Sequence, residues 1–237
     1  MFPAPGLRQS AFEFDVASIK PVKESDSGGQ RFRNTPGSLE VLNMEPTTMI
    51  RNAYRLAMEG QLTGFPAWAD HDCFNIEAKA EEDPATELGA ARARNLLRLQ
   101  SLLATRFQLR THWERRKLSG YVLAAGRHGP KMKLSEPGSA HRTQQGRGKL
   151  LCERCSMAAL ASFLSNFLER PVQDDTGIQG EYDFNFAFEP LNATASSDEG
   201  LPSLFSVLKD QLGLDLKPKD LAVQTLVVDH IERPSSN

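Results

Sequence analysis

The sequence predicts an α+β fold of two similar halves, each running strand, helix, strand, helix, strand, strand. Two observations predict it. Short segments of alternating apolar and polar residues interleave with segments whose apolar residues recur at helical spacing, and the same order of segments occurs twice. A shift of 108 places Thr48 and Met49 on Ser156 and Met157, Leu56 on Leu164, and the strand from Phe74 on the strand from Tyr182. After a loop, a shift of 105 places Leu96, Leu99, Leu103, Phe107 and Leu109 on Leu201, Leu204, Leu208, Leu212 and Leu214, and Val122 on Val227. The variable stretches fall at the same point in both halves, between the second strand and the second helix. Such an order gives small, mainly antiparallel sheets with helices packed on one face.

The elements follow in order. Phe12 to Ile19 alternates as a strand with Phe12, Phe14 and Val16 on one face, and Pro21 stops it. A Gly/Ser/Asn-rich loop runs to Ser38, and Leu39 to Met44 forms a second strand. Pro46 opens a helix carrying Met49, Ile50, Ala53, Tyr54 and Ala57, which Gly60 ends. Gly64 to Trp68 is a turn with a large aromatic, and Cys73 to Ala78 is a strand with Phe74 and Ile76 on one side. The acidic loop Glu81 to Pro84 leads into a helix with the stripe Leu96, Leu99, Leu102 and Leu103. Phe107 to Trp113 alternates, with Phe107, Leu109, Thr111 and Trp113 inward and Gln108, Arg110 and His112 outward; Tyr121 to Ala125 closes this half.

Residues 127–150 are rich in Gly, Pro, Ser, Gln and basic side chains, the composition of a linker. The programme then restarts. Ser156 to Leu168 is a helix, Asp174 to Gly177 a turn, and Tyr182, Phe184, Phe186 and Phe188 mark the clearest strand. A loop from Leu191 to Gly200 precedes a helix with Leu204, Val207, Leu208 and Leu212, capped by Gly213. Strands near Leu214 and from Thr225 to Ile231 finish the chain. The expected divisions are 1–38 (an N-terminal strand and loop), 39–126 (first half), 127–150 (linker) and 151–237 (second half).

With 237 residues and 40% hydrophobic content the chain is long enough to bury a core. Its 30 acidic and 28 basic residues nearly cancel, which excludes a general attraction to nucleic acid or membrane. Locally the balance is different. Arg92 to Lys133 holds eleven Lys/Arg and one acidic residue, whereas Val172 to Glu232 holds twelve Asp/Glu and three Lys. The basic stretch 92–133 is therefore a candidate anion-binding surface, or the two stretches attract each other within or between chains. Only Phe107, Trp113 and Tyr121 interleave the basic residues, which disfavours nucleic acid. No apolar run is long enough for membrane insertion. Met1 to Ser10 lacks the apolar core of a secretory leader, so the sequence reads as cytoplasmic or as a version without its leader.

Several residues are candidates for chemistry. Cys152-Glu-Arg-Cys155 directly precedes a helix, whose N-terminal dipole would favour a reactive thiolate; a redox pair stands against an incidental cysteine pair in a strand-to-helix turn. Zinc would need four ligands, and the nearest extra ones are His141, in the linker, and Cys73, in an apolar strand. His112 and Glu114 share one strand face and could seat a metal or an acid/base pair, although no third partner is identifiable and the run from Arg106 to Lys117 is more simply a solvated strand face. Arg110, His112 and Arg116 form the best contact surface for a partner, and Trp68 is a ligand wall or a turn latch. Asn192-Ala-Thr194 fits a glycosylation acceptor. The sequence holds no nucleophile elbow, phosphate loop, HExxH or dinucleotide fingerprint, so no catalytic residue, metal or cofactor is predicted. The expectation is a non-enzymatic binding or protein-interaction module, with a thiol enzyme or an anion-binding protein as alternatives.

Blocks of residues also carry a family likeness. Phe14 to Pro21, Phe74 to Ala80, Arg106 to Glu114, Arg170 to Gly177 with Tyr182-Asp-Phe184, and Gln211 to Leu214 with Val228-Asp-His230 resemble the soil-associated proteins first noted in Acidobacteria, a domain of unknown function. The resemblance implies an exported or periplasmic bacterial protein with an envelope partner, since relatives carry leaders and some are joined to BlaR1-type membrane metallopeptidases. It brings no catalytic residues. The order of elements in each half also resembles the short domain at the start of secretins and TonB-dependent receptors, an analogy that assigns no function.

Overall fold

The computed structural model describes residues 12–22, 28–58, 60–81, 87–136, 138, 140–146, 148–189 and 201–235. The chain start, most of the acidic loop after Glu81, the loop Leu191 to Gly200 and the Asn192 triplet lie outside the described residues.

The fold is α+β. In chain order the strands and helices are β1 (Val16–Pro21), β2 (Arg31–Thr35), β3 (Ser38–Met44), α1 (Pro46–Tyr54), β4 (Leu62–Thr63), β5 (Phe74–Lys79), α2 (Leu88–Arg106) and β6 (Arg110–Ala125). Then come β7 (Lys133–Leu134), β8 (Arg142–Gly146), β9 (Lys149–Cys155), α3 (Met157–Leu168), β10 (Val172–Asp174), β11 (Tyr182–Ala187), α4 (Leu204–Val207), a π turn at Leu208–Leu212, and β12 (Leu214–His230). The described residues form two compact units. The first comprises residues up to Leu56, Gly60–Glu114 and those from Gln224 onward; the second comprises Ala57, Met58 and Arg115–Val223.

The repeat is visible in strand order. One sheet runs β1-β5-β3-β2 and another β7-β11-β9-β8, so each strand of the first has its counterpart six strands later. The third sheet runs β10-β6-β12-β4. In it, β4 pairs in parallel with β12 through Leu62 and Leu226, and β10 pairs in parallel with β6 through Val172 and Tyr121. The short strand of each repeat therefore lies on the long strand of the other. β6 begins in the first unit and ends in the second, and β12 does the reverse.

Burial follows this exchange. The core of the first unit gathers Ile19, Leu39, Val41, Met49, Ile50, Ile76, Leu99, Leu103 and Phe107, and adds Leu226, Val228 and Ile231 from the end of the chain. The core of the second gathers Leu150, Leu160, Leu164, Phe184, Phe186, Phe188, Leu208 and Leu214, and adds Leu123 from β6.

Backbone irregularities repeat too. β3 and β9 each carry a bulge at a non-glycine residue with positive φ, Asn43 at 50° and Arg154 at 57°. A bulge forfeits a ladder hydrogen bond, and a side chain replaces it in both. The amide of Asn43 donates to Asn75 Oδ1 at 2.8 Å and that of Arg154 to Asp183 Oδ1 at 3.0 Å. α1 ends on Arg55 (φ 55°) and α3 on Glu169 (φ 52°), and β6 and β12 are entered through Gln108 (φ 52°) and Gly213 (φ 69°).

Asp183 differs from Asn75 in its charge. The Ser135 hydroxyl, and after it the Arg154 amide, hold its carboxyl below the ordinary aspartate range. A depressed folded value contributes stability that is present above the unfolded pKa and is lost as pH falls through the folded one. Asp183→Asn, which supplies the acceptor that Asn75 supplies in the first unit, is therefore expected to lower the melting temperature at neutral pH. The gap should close below about pH 4; a gap that stays constant in thermal scans between about pH 7 and pH 3 would contradict this account.

Some sequence expectations are corrected. The first strand is Val16–Pro21, with Ile19 2% exposed and Val16 68% exposed, so Val16 does not face inward as expected, whereas Phe14, before the strand, does pack on the first core. Residues expected as loop form β2, because Phe32 pairs with Val41 and packs on the first core. The first helix stops at Tyr54, where Arg55 turns left-handed and bonds back to Arg51 and Asn52, rather than at Gly60. The segments at 110–113 and 121–125 are one strand, as are those at 214 and 225–230. Trp113 is 50% exposed, not inward. Residues 127–150, expected as a linker, carry β7, β8 and the start of β9; β8 is polar and exposed throughout, so no apolar alternation betrays it.

Candidate functional site

The start of β6 is the most unusual surface of the first unit. Gln108, with positive φ, turns the chain out of α2 once Phe107 and Leu109 are buried. From His112 to Lys117 the strand is exposed on both faces. Alternation places Arg110, His112 and Glu114 on one face and Thr111 and Trp113 on the other.

On the first face His112 Nδ1 lies 2.8 Å from Asp229 Oδ1 of β12, both side chains about half exposed at 53% and 47%. The carboxylate engages Nδ1 and leaves Nε2 available for a hydrogen bond to a bound group. Among the described residues no hydroxyl or thiol bonds to His112, and no group of three metal-ligating side chains forms. On the other face the Tyr54 ring meets Trp113 edge to face, with centroids 6.4 Å apart. Arg116 lies on the same strand, past the point where β6 passes into the second unit.

Trp68 sits in a 3-10 turn, Ala67–Asp70, packed against the first core. The Arg233 guanidinium lies 4.8 Å over its ring and bonds to Asp72 Oδ2 at 2.7 Å. The tryptophan face is thus covered by the segment that follows β12, a cation–π latch. Asp229 and Arg233 were not among the sequence candidates: their partners are 117 and 161 residues away, and no local pattern links them.

Cys152 and Cys155 form a disulfide, 7% and 1% exposed, across the bulge at Arg154. The matching positions of the first unit hold Val41 and Met44, both core residues. The sulfurs therefore face the core, and a thiolate could attack them only after local opening. Cys73 is free; burial, then the neighbouring Glu45 carboxylate, pushes its thiol up, so it keeps its proton.

The third sheet brings strands of the two stretches side by side: β6, with four Lys/Arg and one glutamate, is the neighbour of β12, with three aspartates and two lysines. His112 with Asp229 and Ser119 with Asp220, at 3.1 Å, join the two strands. Among the described residues no helix is long and apolar enough to cross a membrane.

No curated protein and no solved structure matches this chain. A family model matches residues 47–231, from the first turn of α1 to the last core residue beyond β12. The chain belongs to the family described as Protein of unknown function (DUF3738).

Proposed function

We propose that this protein is a non-enzymatic protein-binding module of the bacterial cell envelope, contacting its partner through Trp113. One observation carries the reading: a tryptophan 50% exposed, held by Tyr54 and standing on the stretch of β6, His112 to Lys117, whose two faces are both open. A large aromatic fixed in place loses little conformational freedom on binding, and tryptophan and arginine dominate the centres of protein interfaces. Arg55, exposed beside Tyr54, and Arg110 and His112 around the strand favour a partner with an apolar pocket rimmed by carboxylates.

The envelope setting rests on two supports. A disulfide that closes a core position persists in oxidising compartments, and the resemblance to soil-associated proteins of Acidobacteria implies export. The test uses a photoreactive group placed beside position 113 to identify the partner in an envelope extract, followed by titration with that purified partner. Trp113→Ala should bind at least about tenfold more weakly while melting like the parent. Equal binding by the variant, or turnover of a small substrate by the parent protein, would overturn the reading.

A further inference from the structure

Where β6 ends, the chain folds back through Gly126 to Lys131 onto the turn that enters β12. Three backbone bonds fix this loop: Gly126 N–H to Gly213 O at 2.8 Å, Gly129 N–H to Gly126 O at 3.0 Å, and Lys131 N–H to Leu212 O at 3.0 Å. A Cβ at Gly126 would lie 2.8 Å from Gly213 O, so the two backbones touch as only glycines permit. Beside this glycine floor opens a cavity of about 410 Å³, walled by Arg127, His128, Lys131, Lys209 and Asp215.

We infer that this cavity is a binding site for a small phosphoanion. Three permanent cations and an imidazole face one lining carboxylate, Asp215, so the cavity favours negative charge even with Asp210 nearby. Lys131 is partly engaged, since its ammonium donates to the Asp210 carbonyl at 3.0 Å and so caps the π turn. Among the described residues the side chains of Arg127, His128 and Lys209 have no hydrogen-bond or ion-pair partner, which leaves their donors available. A phosphoanion offers several acceptor oxygens and more than one negative charge, matching a guanidinium fork flanked by ammonium groups better than a carboxylate would. The volume suits a small molecule and not a polymer.

The repeat supplies an internal comparison. The third residue past β12 is Arg233, whose charge is taken up by Asp72 and Trp68 within the first unit. The third residue past β6 is His128, whose side chain, like that of the adjacent Arg127, lines the cavity instead of forming a latch. Two copies of one loop have thus diverged, one into a latch and the other into an open cationic cavity. The site lies in a different unit from Trp113 and does not depend on the partner-binding reading.

The test is calorimetric titration of the full chain with inorganic pyrophosphate at low ionic strength and neutral pH. Saturable binding should weaken as salt is added, and Arg127→Ala and Lys209→Ala should each weaken it about tenfold, with Arg31→Ala, an exposed cation of the first unit, as the unchanged control. Absence of saturable binding, or affinity that survives the double variant Arg127→Ala/Lys209→Ala, would overturn the assignment. Binding to phosphatidylglycerol vesicles without binding to pyrophosphate would overturn it too, because a surface attraction and not the cavity would then be responsible.

Discussion

Leu226→Ala is expected to destabilise the first unit by about 2–5 kcal/mol, although Leu226 comes from the second repeat. Its side chain is 0% exposed and lies in the core with Leu62, Phe107 and Val228. Its amide donates to Gln61 O at 2.8 Å, and Gln61 Nε2 returns a bond to Gln224 O at 3.2 Å, so β4 is anchored on this end of β12. Truncation removes the packing that holds α2 and β5 against that end, and a surrounding core of Leu99, Leu103 and Ile76 can refill the space only in part. Leu164→Ala is the matched control, because Leu164 is also 0% exposed but belongs to the second core. Amide hydrogen exchange distinguishes the two: Leu226→Ala should speed exchange in β5 and α2, and Leu164→Ala in β11 and α3. Faster exchange confined to the second unit in the Leu226 variant would show that β12 does not complete the first core.

That exchange of strands was the part of the fold hidden from the sequence. The order of elements was legible because Met49, Ile50 and Ala53 fall at helical spacing, as do Met157, Leu160 and Leu164, and because Phe184, Phe186 and Phe188 alternate without interruption. Periodicity reports which face of an element is buried, not which neighbour buries it. Leu226 and Val228 therefore read as a strand of the second half, while their packing belongs to the first. Elements without an apolar face were lost altogether: β8 is exposed at every residue, and β2 contributes only Phe32 to its core. The candidate site was half legible. His112 stood out by its place on a basic strand, but Asp229, which orients it, is distant in sequence, and composition offered the attraction between the basic and acidic stretches without saying which residues would meet.

A second large effect is expected at the turn into β12. Gly213→Ala should cost about 3 kcal/mol or more, whereas its counterpart substitution in the other repeat, Gln108→Gly, should change stability by less than about 1 kcal/mol. Both residues have positive φ, 69° and 52°, so the backbone conformation alone does not separate them. Gln108 tolerates a side chain, since its Nε2 even reaches back to Thr105 O at 2.9 Å, and replacing it with glycine exchanges that bond for relief of left-handed strain. At Gly213 the added Cβ would collide with the carbonyl oxygen of Gly129 and lie 3.2 Å from the Lys131 amide nitrogen. Both obstacles are backbone, which has no rotamer to move, so the loop from Gly126 to Lys131 would have to lift and release its bonds to Gly213 and Leu212. Denaturant titration of the two variants reads the difference directly. A Gly213→Ala midpoint no lower than that of an ordinary surface substitution would show that the loop is not seated on this glycine, and the cavity it floors would lose its rigid base.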